Sequence, residues 1–455
     1  MRVVMMPLYV SGPWALQSTG VDATLGGMVR SMQPGPDGGV DGGLEAGPGS
    51  RWPDLASLLH DIEDAARNLR GVARVTPVEG SRWLSARIAG QVWLKCENLQ
   101  RAGSFKIRGA YTRIARLTPQ ERARGVVAAS AGNHAQGVAL AASLLETAAT
   151  VFMPVGAPIP KVEATRSYGA EIRFAGATID ETLLAAREHT EKTGAVLIHP
   201  YDHPDVVAGQ GTLGLEILEQ CPDARTVVIP VGGGGLAAGV AGALAARGST
   251  AQVVGVQAAG AAAYPGSLAA GHPVPAEQMS TMADGIAVGR PGATPFGLIQ
   301  RHVAEVVTVS EESLSRALLL LLERAKLLVE PAGAAAVAAL LEHPERFEPP
   351  VVAVLSGGNV DPLLLLQVVR HGMAAAGRYL SFRARVPDRP GGLVGLLEEL
   401  ADAGANVMDV VHLRTSADLH LGEVEVAVVA ETRGKAHRAD ILSRLRGAGY
   451  PLTIS

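Results

Sequence analysis

The chain has 455 residues, 47% of them hydrophobic, and a formal net charge of −4 at pH 7. That length suffices for more than one domain with a large core, and the small charge gives no reason to expect nucleic acid or an anionic membrane as a partner. Cys96 and Cys221 are far apart in the sequence, which predicts neither a disulfide framework nor a zinc site and favours the cytoplasm. No apolar stretch is long enough to span a bilayer, and no signal peptide is predicted.

Residues 1–50 are rich in glycine and proline, lack apolar periodicity and are predicted to form a disordered leader. A folded body over 51–376 is predicted to begin with an amphipathic helix at 55–71. Short apolar strands then alternate with helices, a pattern typical of an α/β fold with parallel sheets flanked by helices. The predicted strands are 126–129, 150–153, 226–231, 253–257 and 351–355, and helices are expected to begin near Asn133, Pro160 and Leu236.

The composition changes at residue 377, and residues 377–455 are predicted to form a separate domain. Its expected elements are strand, helix, strand, strand, helix and strand, which is the ferredoxin-like βαββαβ order. In that order they are predicted at 379–386, 391–403, 406–413, 423–431, 436–445 and 452–455. That order alone says nothing about function. The segment also resembles the ACT domain, an amino-acid-sensing module, with a Pro-Gly turn at 388–393. This resemblance implies a regulatory role and a branched-chain amino acid as effector, although a dimerisation domain without a ligand is an open alternative.

Lys106 lies in a turn of small residues, Gly103-Ser104-Phe105-Lys106. Gly103 lets the backbone turn tightly, and Phe105 can limit the access of water. Desolvation lowers the pKa of a lysine and makes its neutral amine available as a nucleophile. Taken alone, however, a lysine at this position is more typical of a solvated helix start.

The motif Ser130-Ala131-Gly132-Asn133-His134 follows a predicted strand and opens a helix. N–H groups at a helix N-terminus bind anions, which predicts a site for the carboxylate of a substrate. A simple helix cap would explain Ser130 or Asn133. His134 alone does not distinguish a structural residue from an acid or base.

A run of glycines follows another predicted strand and is expected to form a backbone nest that surrounds phosphate. The run consists of Gly232, Gly233, Gly234 and Gly235 and is followed by Leu236. It also fits the dinucleotide fingerprint, but that site needs an acid about 20 residues later. The next strand ends in glutamine and alanines, and no Gly-Lys-Ser/Thr follows. Together with Lys106, the run favours pyridoxal phosphate over a nucleotide.

Ser356-Gly357-Gly358-Asn359 follows the predicted strand 351–355, at the edge where α/β sheets place their ligands. With Glu97-Asn98-Leu99-Gln100 upstream of the lysine, these motifs resemble the β-eliminating, fold type II pyridoxal-phosphate enzymes, and among them the threonine dehydratases. The resemblance implies a small domain over about 96–195, inserted into a larger one, with the cofactor between them.

The same resemblance implies roles for individual residues. Lys106 would bond covalently to the cofactor and later take the Cα proton of the substrate. Asn133 would contact the ring hydroxyl and Ser356 the pyridine nitrogen. The other expected contacts are Phe105, Gly232, Gly233, Gly234, Gly235 and Leu236 with the cofactor, and Ser130, Ala131, Gly132 and His134 with the substrate.

The implied reaction is dehydration and deamination of L-threonine to 2-oxobutanoate and ammonia, with L-serine as a second substrate. Related racemases have a serine base where this chain has Ala131, which favours elimination. A serine dehydratase or racemase of the same fold, and a non-catalytic amino-acid sensor, are the alternatives. The resemblance further implies a homo-oligomer, either a dimer or a tetramer. In some relatives the segment of Glu216 carries a cation-binding carboxylate, although a glutamate on a helix is more often solvated or in a salt bridge.

Overall fold

The computed structural model describes residues 52, 54–375, 377–414 and 420–454, and the predicted leader lies outside them. The helices are α1 (Leu55–Asn68), α2 (Arg82–Ile88), α3 (Lys106–Ala115), α4 (Pro119–Arg124), α5 (Asn133–Leu144), α6 (Ile159–Ser167), α7 (Ile179–Thr193), α8 (Pro204–Gln220), α9 (Gly235–Ala246), α10 (Tyr264–Ala270), α11 (Ala293–His302), α12 (Glu311–Leu320), α13 (Pro331–Glu342), α14 (Pro362–Ala375), α15 (Gly392–Asp402) and α16 (Lys435–Gly447). Among the described residues, no helix combines the length and apolar character needed to cross a membrane.

The strands belong to three sheets. They are β1 (Val78–Gly80), β2 (Val92–Lys95), β3 (Val126–Ala129), β4 (Ala149–Met153), β5 (Glu171–Phe174), β6 (Val196–Leu197), β7 (Thr226–Pro230), β8 (Gln252–Ala258), β9 (Glu305–Val309), β10 (Val351–Val354), β11 (Tyr379–Pro387), β12 (Asn406–Leu413), β13 (Glu423–Glu431) and β14 (Leu452–Ile454).

The first sheet has six strands in the order β1-β2-β10-β7-β8-β9, and every pair except β1–β2 is parallel. Its strands are short apolar runs because both faces are buried. Val228 and Ala353 face the core under α2, α12 and α13, whereas their neighbours Val227 and Val352 face the core under α1, α8 and α9. The predicted parallel α/β architecture is confirmed.

The second sheet is parallel, has the order β5-β4-β3-β6, and lies between β2 and β7 in the chain. Its main core contains Val126 and Val151 together with Ile107 and Ile114 of α3 and Val138 of α5. Helices α3 and α5 therefore pack on this sheet, and their N-termini carry two of the predicted site motifs.

The third sheet is antiparallel, with the order β12-β13-β11-β14. Side chains of β11 and β13 alternate between buried and partly exposed, which is the pattern of a sheet covered on one face. Phe382 and Val426 on the covered face pack against Leu400 of α15 and Ile441 of α16. The βαββαβ order predicted for this segment is the order observed.

Candidate active site

A cavity of about 600 Å³ lies where β3, β7 and β10 end, the edge at which α/β sheets place ligands. Every residue predicted to contact the cofactor or the substrate lines it, so the structure brings the separate motifs together. These residues are Phe105, Lys106, Ser130, Ala131, Gly132, Asn133, His134, Gly232, Gly233, Gly234, Gly235, Leu236 and Ser356. Their individual roles remain predictions.

Lys106 is the first residue of α3, and its Nζ donates a hydrogen bond to Pro200 O at 2.9 Å. The Phe105 ring centroid lies 5.1 Å from the same nitrogen. Desolvation lowers the pKa of Lys106 to about 8, opposed only in part by the charge of Glu330. About a tenth of this amine is therefore neutral at pH 7, against well under 0.1% for an ordinary lysine. A nucleophile or general base needs this neutral form.

The glycine run forms a cradle at the N-terminus of α9. Gly234 has φ +101°, a left-handed conformation that a side chain would strain. A Cβ on Gly233 would lie 2.3 Å from the ring of Tyr201. Among the described residues, none accepts a backbone hydrogen bond from residues 232–236. Free N–H groups at a helix N-terminus suit a phosphate, so this cradle fits the phosphate of pyridoxal phosphate.

The polar motif after β3 opens α5 at Asn133. The Gly132 N–H donates to Ser130 Oγ at 3.1 Å, which holds the turn before the helix. His134 is buried, and its Nε2 donates to Ile198 O at 2.7 Å because a carbonyl can only accept. Desolvation and the neighbouring charge of Lys106 lower the pKa of His134 to about 3. This histidine is therefore neutral near pH 7 and is engaged in a structural bond.

Ser356 follows β10, and its loop is fixed against the turn that precedes Lys106. Phe105 N donates to Ser356 O at 3.2 Å, and Gly358 N donates to Gly103 O at 2.8 Å. Ser356 is a buried residue that lines the cavity, and its Oγ makes no hydrogen bond to a described residue. A hydroxyl in this state can serve the ring nitrogen of a pyridine.

No individual role was predicted for two polar residues of the site, Glu330 and Asn359, although Asn359 belongs to the motif that follows β10. Glu330 is buried next to the cavity and accepts a hydrogen bond from Asn133 Nδ2 at 2.5 Å. Asn359 Nδ2 donates to Asn133 Oδ1 at 2.8 Å. The available signal was one acid in an otherwise apolar stretch, immediately before Pro331 at the start of α13.

The prediction of a cation at Glu216 requires correction. Its two carboxylate oxygens pair with Lys95 Nζ at 2.6 Å and Arg108 Nη1 at 2.7 Å. Two buried cations already neutralise the carboxylate and would repel a metal ion. Within the described residues, no group of three or more His, Cys, Asp or Glu side chains could hold one. Glu216 is a structural ion-pair partner outside the cavity.

Comparison with known proteins agrees with this geometry. Residues 69–357 match the family described as pyridoxal-phosphate dependent enzymes. The chain belongs to that family. The cavity, its desolvated lysine and its glycine cradle thus lie within a pyridoxal-phosphate-dependent enzyme.

Curated relatives extend beyond the family match. An L-threonine ammonia-lyase of Thermotoga maritima is 44% identical over 396 residues, which cover 87% of this chain and 99% of that protein. An L-threonine ammonia-lyase of Geobacter sulfurreducens is 45% identical, covering 86% of this chain and 98% of that protein.

Solved structures show the same fold. The processed form of threonine deaminase isoform 2 from Solanum lycopersicum is 37% identical, with a TM-score of 0.67, and the match covers 70% of this chain and 94% of that one. A maize serine racemase is 34% identical, with a TM-score of 0.65, over 70% of this chain and 98% of that one. Both matches therefore extend over nearly the whole length of the solved chains.

Proposed function

We propose that this enzyme dehydrates and deaminates L-threonine to 2-oxobutanoate and ammonia, and acts on L-serine to give pyruvate. The observation that carries the proposal is the desolvated Lys106 amine, in one cavity with a phosphate cradle and an open helix N-terminus. Relatives named L-threonine ammonia-lyase, aligned over nearly their whole length, support threonine as the substrate.

When bound, pyridoxal phosphate supplies an aldehyde that bonds the amino nitrogen and a conjugated ring that withdraws electrons from Cα. In our assignment the N–H groups of residues 232–236 hold its phosphate, and Ser356 Oγ lies at its ring nitrogen. The Asn133 amide donates to its ring oxygen. A serine hydroxyl does not keep that nitrogen protonated, which suits elimination better than transamination.

The start of α5 would hold the substrate carboxylate through the backbone N–H groups of Ala131 and Asn133, which donate to no described residue, whereas the Gly132 N–H already bonds Ser130 Oγ. Lys106 Nζ takes the Cα proton as a general base, because its lowered pKa leaves neutral amine available. The β-hydroxyl leaves as water, and one water then releases ammonia. The products, 2-oxobutanoate and ammonia, account for every atom of threonine.

Ala131 argues against racemisation, the alternative raised by the serine racemase structures. Reprotonation from the opposite face of Cα needs a second acid, and a methyl group at this position carries no proton. His134 does not replace it, because its pKa of about 3 and its bond to Ile198 keep it neutral.

A screen of amino acids with the purified holoenzyme tests the proposal. Keto-acid and ammonia release with L-threonine as the best substrate is expected, together with visible absorption of the bound cofactor. D-serine formation faster than pyruvate formation would instead identify a racemase. Colour without turnover of any amino acid would favour the non-catalytic sensor.

We also propose that residues 377–455 form an ACT-like domain that binds a branched-chain amino acid and joins two copies of the chain. The helix α15 begins just after Gly391, and the N–H groups of Gly391 and Leu393 donate to no described residue, so they can receive a carboxylate. Edge strand β12 exposes Met408 and Val411, and an exposed apolar edge favours pairing with a second copy.

Titration with isoleucine and valine tests this second proposal. Either ligand is expected to change the threonine kinetics, and Met408→Lys is expected to lower the oligomeric state measured by light scattering. Kinetics that ignore every branched-chain amino acid would refute the regulatory role without affecting the catalytic assignment.

A further inference from the structure

The side-chain amide of Asn133 is held from both sides by residues distant in sequence. Its Nδ2 donates to Glu330 Oε1 at 2.5 Å, and its Oδ1 accepts from Asn359 Nδ2 at 2.8 Å. Asn133 lies at the start of α5, which packs on the second sheet. Glu330 directly precedes α13, which packs on the first sheet, and Asn359 follows β10 of that sheet. The contacts therefore join the two walls of the cavity at one amide.

The orientation of this amide follows from a neighbouring carbonyl. Asn359 Nδ2 donates to Ala102 O at 2.7 Å, and a carbonyl can only accept, so the NH₂ group of Asn359 must face that side. Its second hydrogen then points to Asn133, which has to accept through Oδ1. A longer contact of 3.4 Å to Gln136 Oε1 places a further acceptor on the same nitrogen. Nδ2 of Asn133 consequently faces Glu330.

One N–H of Asn133 remains after these bonds. Its amide has two N–H donors, of which Glu330 takes one, and no other described residue accepts the second. Asn133 lines the cavity, so the remaining donor is available to a bound ring oxygen. If the amide were reversed, it would present a carbonyl oxygen there and repel that oxygen.

We propose that Glu330 and Asn359 are positioning residues that fix the Asn133 amide so that it donates to the ring oxygen of the cofactor. This inference rests on the proposed function, since it takes Asn133 as the residue that contacts that oxygen. Neither positioning residue needs to touch the reacting atoms of the substrate.

The space around Glu330 is adapted to this contact. Glu330 N donates to Gly357 O at 3.0 Å, which ties it to the Ser356 loop. A Cβ on Gly357 would lie 2.2 Å from Glu330 Oε1 and 3.0 Å from Asn133 Nδ2, so a side chain there would separate the pair. Burial raises the pKa of Glu330 to about 7, with a further contribution from Asp284, and the hydrogen bond from Asn133 opposes this rise.

A double-mutant cycle tests whether Glu330 acts through Asn133. Cofactor affinity and the pH titration of the visible absorption are measured for Glu330→Ala, Asn133→Ala and the double variant. Each single change is expected to weaken cofactor binding about 2- to 10-fold, as for one lost hydrogen bond. The double variant should match Asn133→Ala alone. Glu330→Gln keeps an acceptor and should restore both readouts.

Asn359→Asp provides a second test that creates no cavity. The new carboxylate cannot donate to Asn133 Oδ1 and repels it, so the Asn133 amide turns its NH₂ group towards position 359 and presents its oxygen on the side of Glu330 and the cofactor. The visible absorption should then shift as in Asn133→Ala. Asn98→Asp is the control, because Asn98 is also an asparagine near the cavity loop that donates to a backbone carbonyl, Leu328 O, but makes no hydrogen bond to Asn133.

Two results would overturn the inference: effects of Glu330→Ala and Asn133→Ala that multiply in the double variant, or an Asn359→Asp spectrum identical to that of the control. Both readouts are taken without substrate. If the wild-type chain failed to turn over threonine, the proposed function would be overturned, but the measured effects on cofactor binding would still test the positioning of Asn133.

Discussion

Lys161 Nζ lies 2.5 Å from Asp284 Oδ2, and this ion pair connects the two sides of the cavity. Lys161 is on α6, which packs with the second sheet, whereas Asp284 precedes α11 beside the first sheet. Glu330, whose pKa responds to both charges, lies between these walls. The pair is thus placed to influence how far the two walls separate.

Breaking this pair should affect substrate binding more than folding. Lys161→Met is expected to raise the threonine KM several-fold while changing the free energy of unfolding by less than about 1 kcal/mol, since Asp284 is solvated. Steady-state kinetics at low and high salt measure the effect, which salt should diminish in the wild type. Arg173→Met, which breaks an exposed pair with Glu171 on the second sheet, is the control. An equal KM change in both variants would contradict the prediction.

Lys106→Ala should eliminate both turnover and the visible absorption of the bound cofactor. Lys106→Arg should fail as well, because a guanidinium stays protonated at every accessible pH. Keto-acid release and the absorption spectrum are measured, with Lys192→Ala on the exposed face of α7 as the control. Substantial 2-oxobutanoate production by Lys106→Ala would disprove the assignment.

The pH dependence of cofactor uptake reports the environment of Lys106. Covalent attachment requires the neutral amine, so the uptake rate of cofactor-free protein should rise as pH increases through about 8 and level off above it. An ordinary lysine would put this rise near pH 10.4. Stopped-flow absorbance between pH 6 and 10 locates the midpoint, and an uptake rate that is still rising steeply at pH 10 would show that the amine is solvated.

Gly234→Ala should release the cofactor by closing the cradle. A Cβ there would lie 1.9 Å from Tyr264 Oη, on a residue with φ +101°, so the loop must move. We expect a loss of about 1–3 kcal/mol in stability, together with weaker cofactor binding. Gly266→Ala on α10 meets only ordinary contact with Val274 and should change neither quantity. Equilibrium dialysis and urea unfolding measure the two effects.

Because Lys95 forms an ion pair with Glu216, we expect a substitution of Lys95 to lower the stability of the fold, and we expect no metal ion to bind at Glu216. Lys95 is fully buried and bonds Glu216, Gln220 and Thr76 O, so Lys95→Met should cost about 3 kcal/mol of unfolding free energy. Arg225→Met, in an exposed pair with Glu348, should cost under about 1 kcal/mol. If Mg²⁺ or Ca²⁺ raised the melting temperature by binding at Glu216, the assignment of Glu216 as an ion-pair partner would be contradicted.

The local hydrophobic pattern was enough to predict strands whose side chains are buried in a regular pattern. Strands β3 and β13 have their predicted bounds because a continuous apolar run marks a strand buried on both faces and alternation marks a strand buried on one. Helix α1 was predicted to reach residue 71 but ends at Asn68, because Gly71 adopts φ +77°. The position at which a helix ends therefore depends on single residues such as Gly71.

The local sequence pattern could not predict contacts between residues that are far apart in the chain. Asn133 and Glu330 are 197 residues apart in the chain. No periodic pattern in the sequence predicts their hydrogen bond or the contact that Asn359 makes with Asn133. Glu216 was given a cation because local sequence does not show that Lys95 and Arg108 converge on it. The motif residues were placed in one cavity because each follows a strand of a parallel sheet.

The position of β10 has a consequence for synthesis on the ribosome. Val351–Val354 lies between β2 and β7, pairing Val351 with both Val92 and Thr226. Until this strand emerges, the nascent chain presents two unpaired apolar strand edges, which attract other chains. A stalled or truncated product that ends before residue 351 should therefore need chaperone protection.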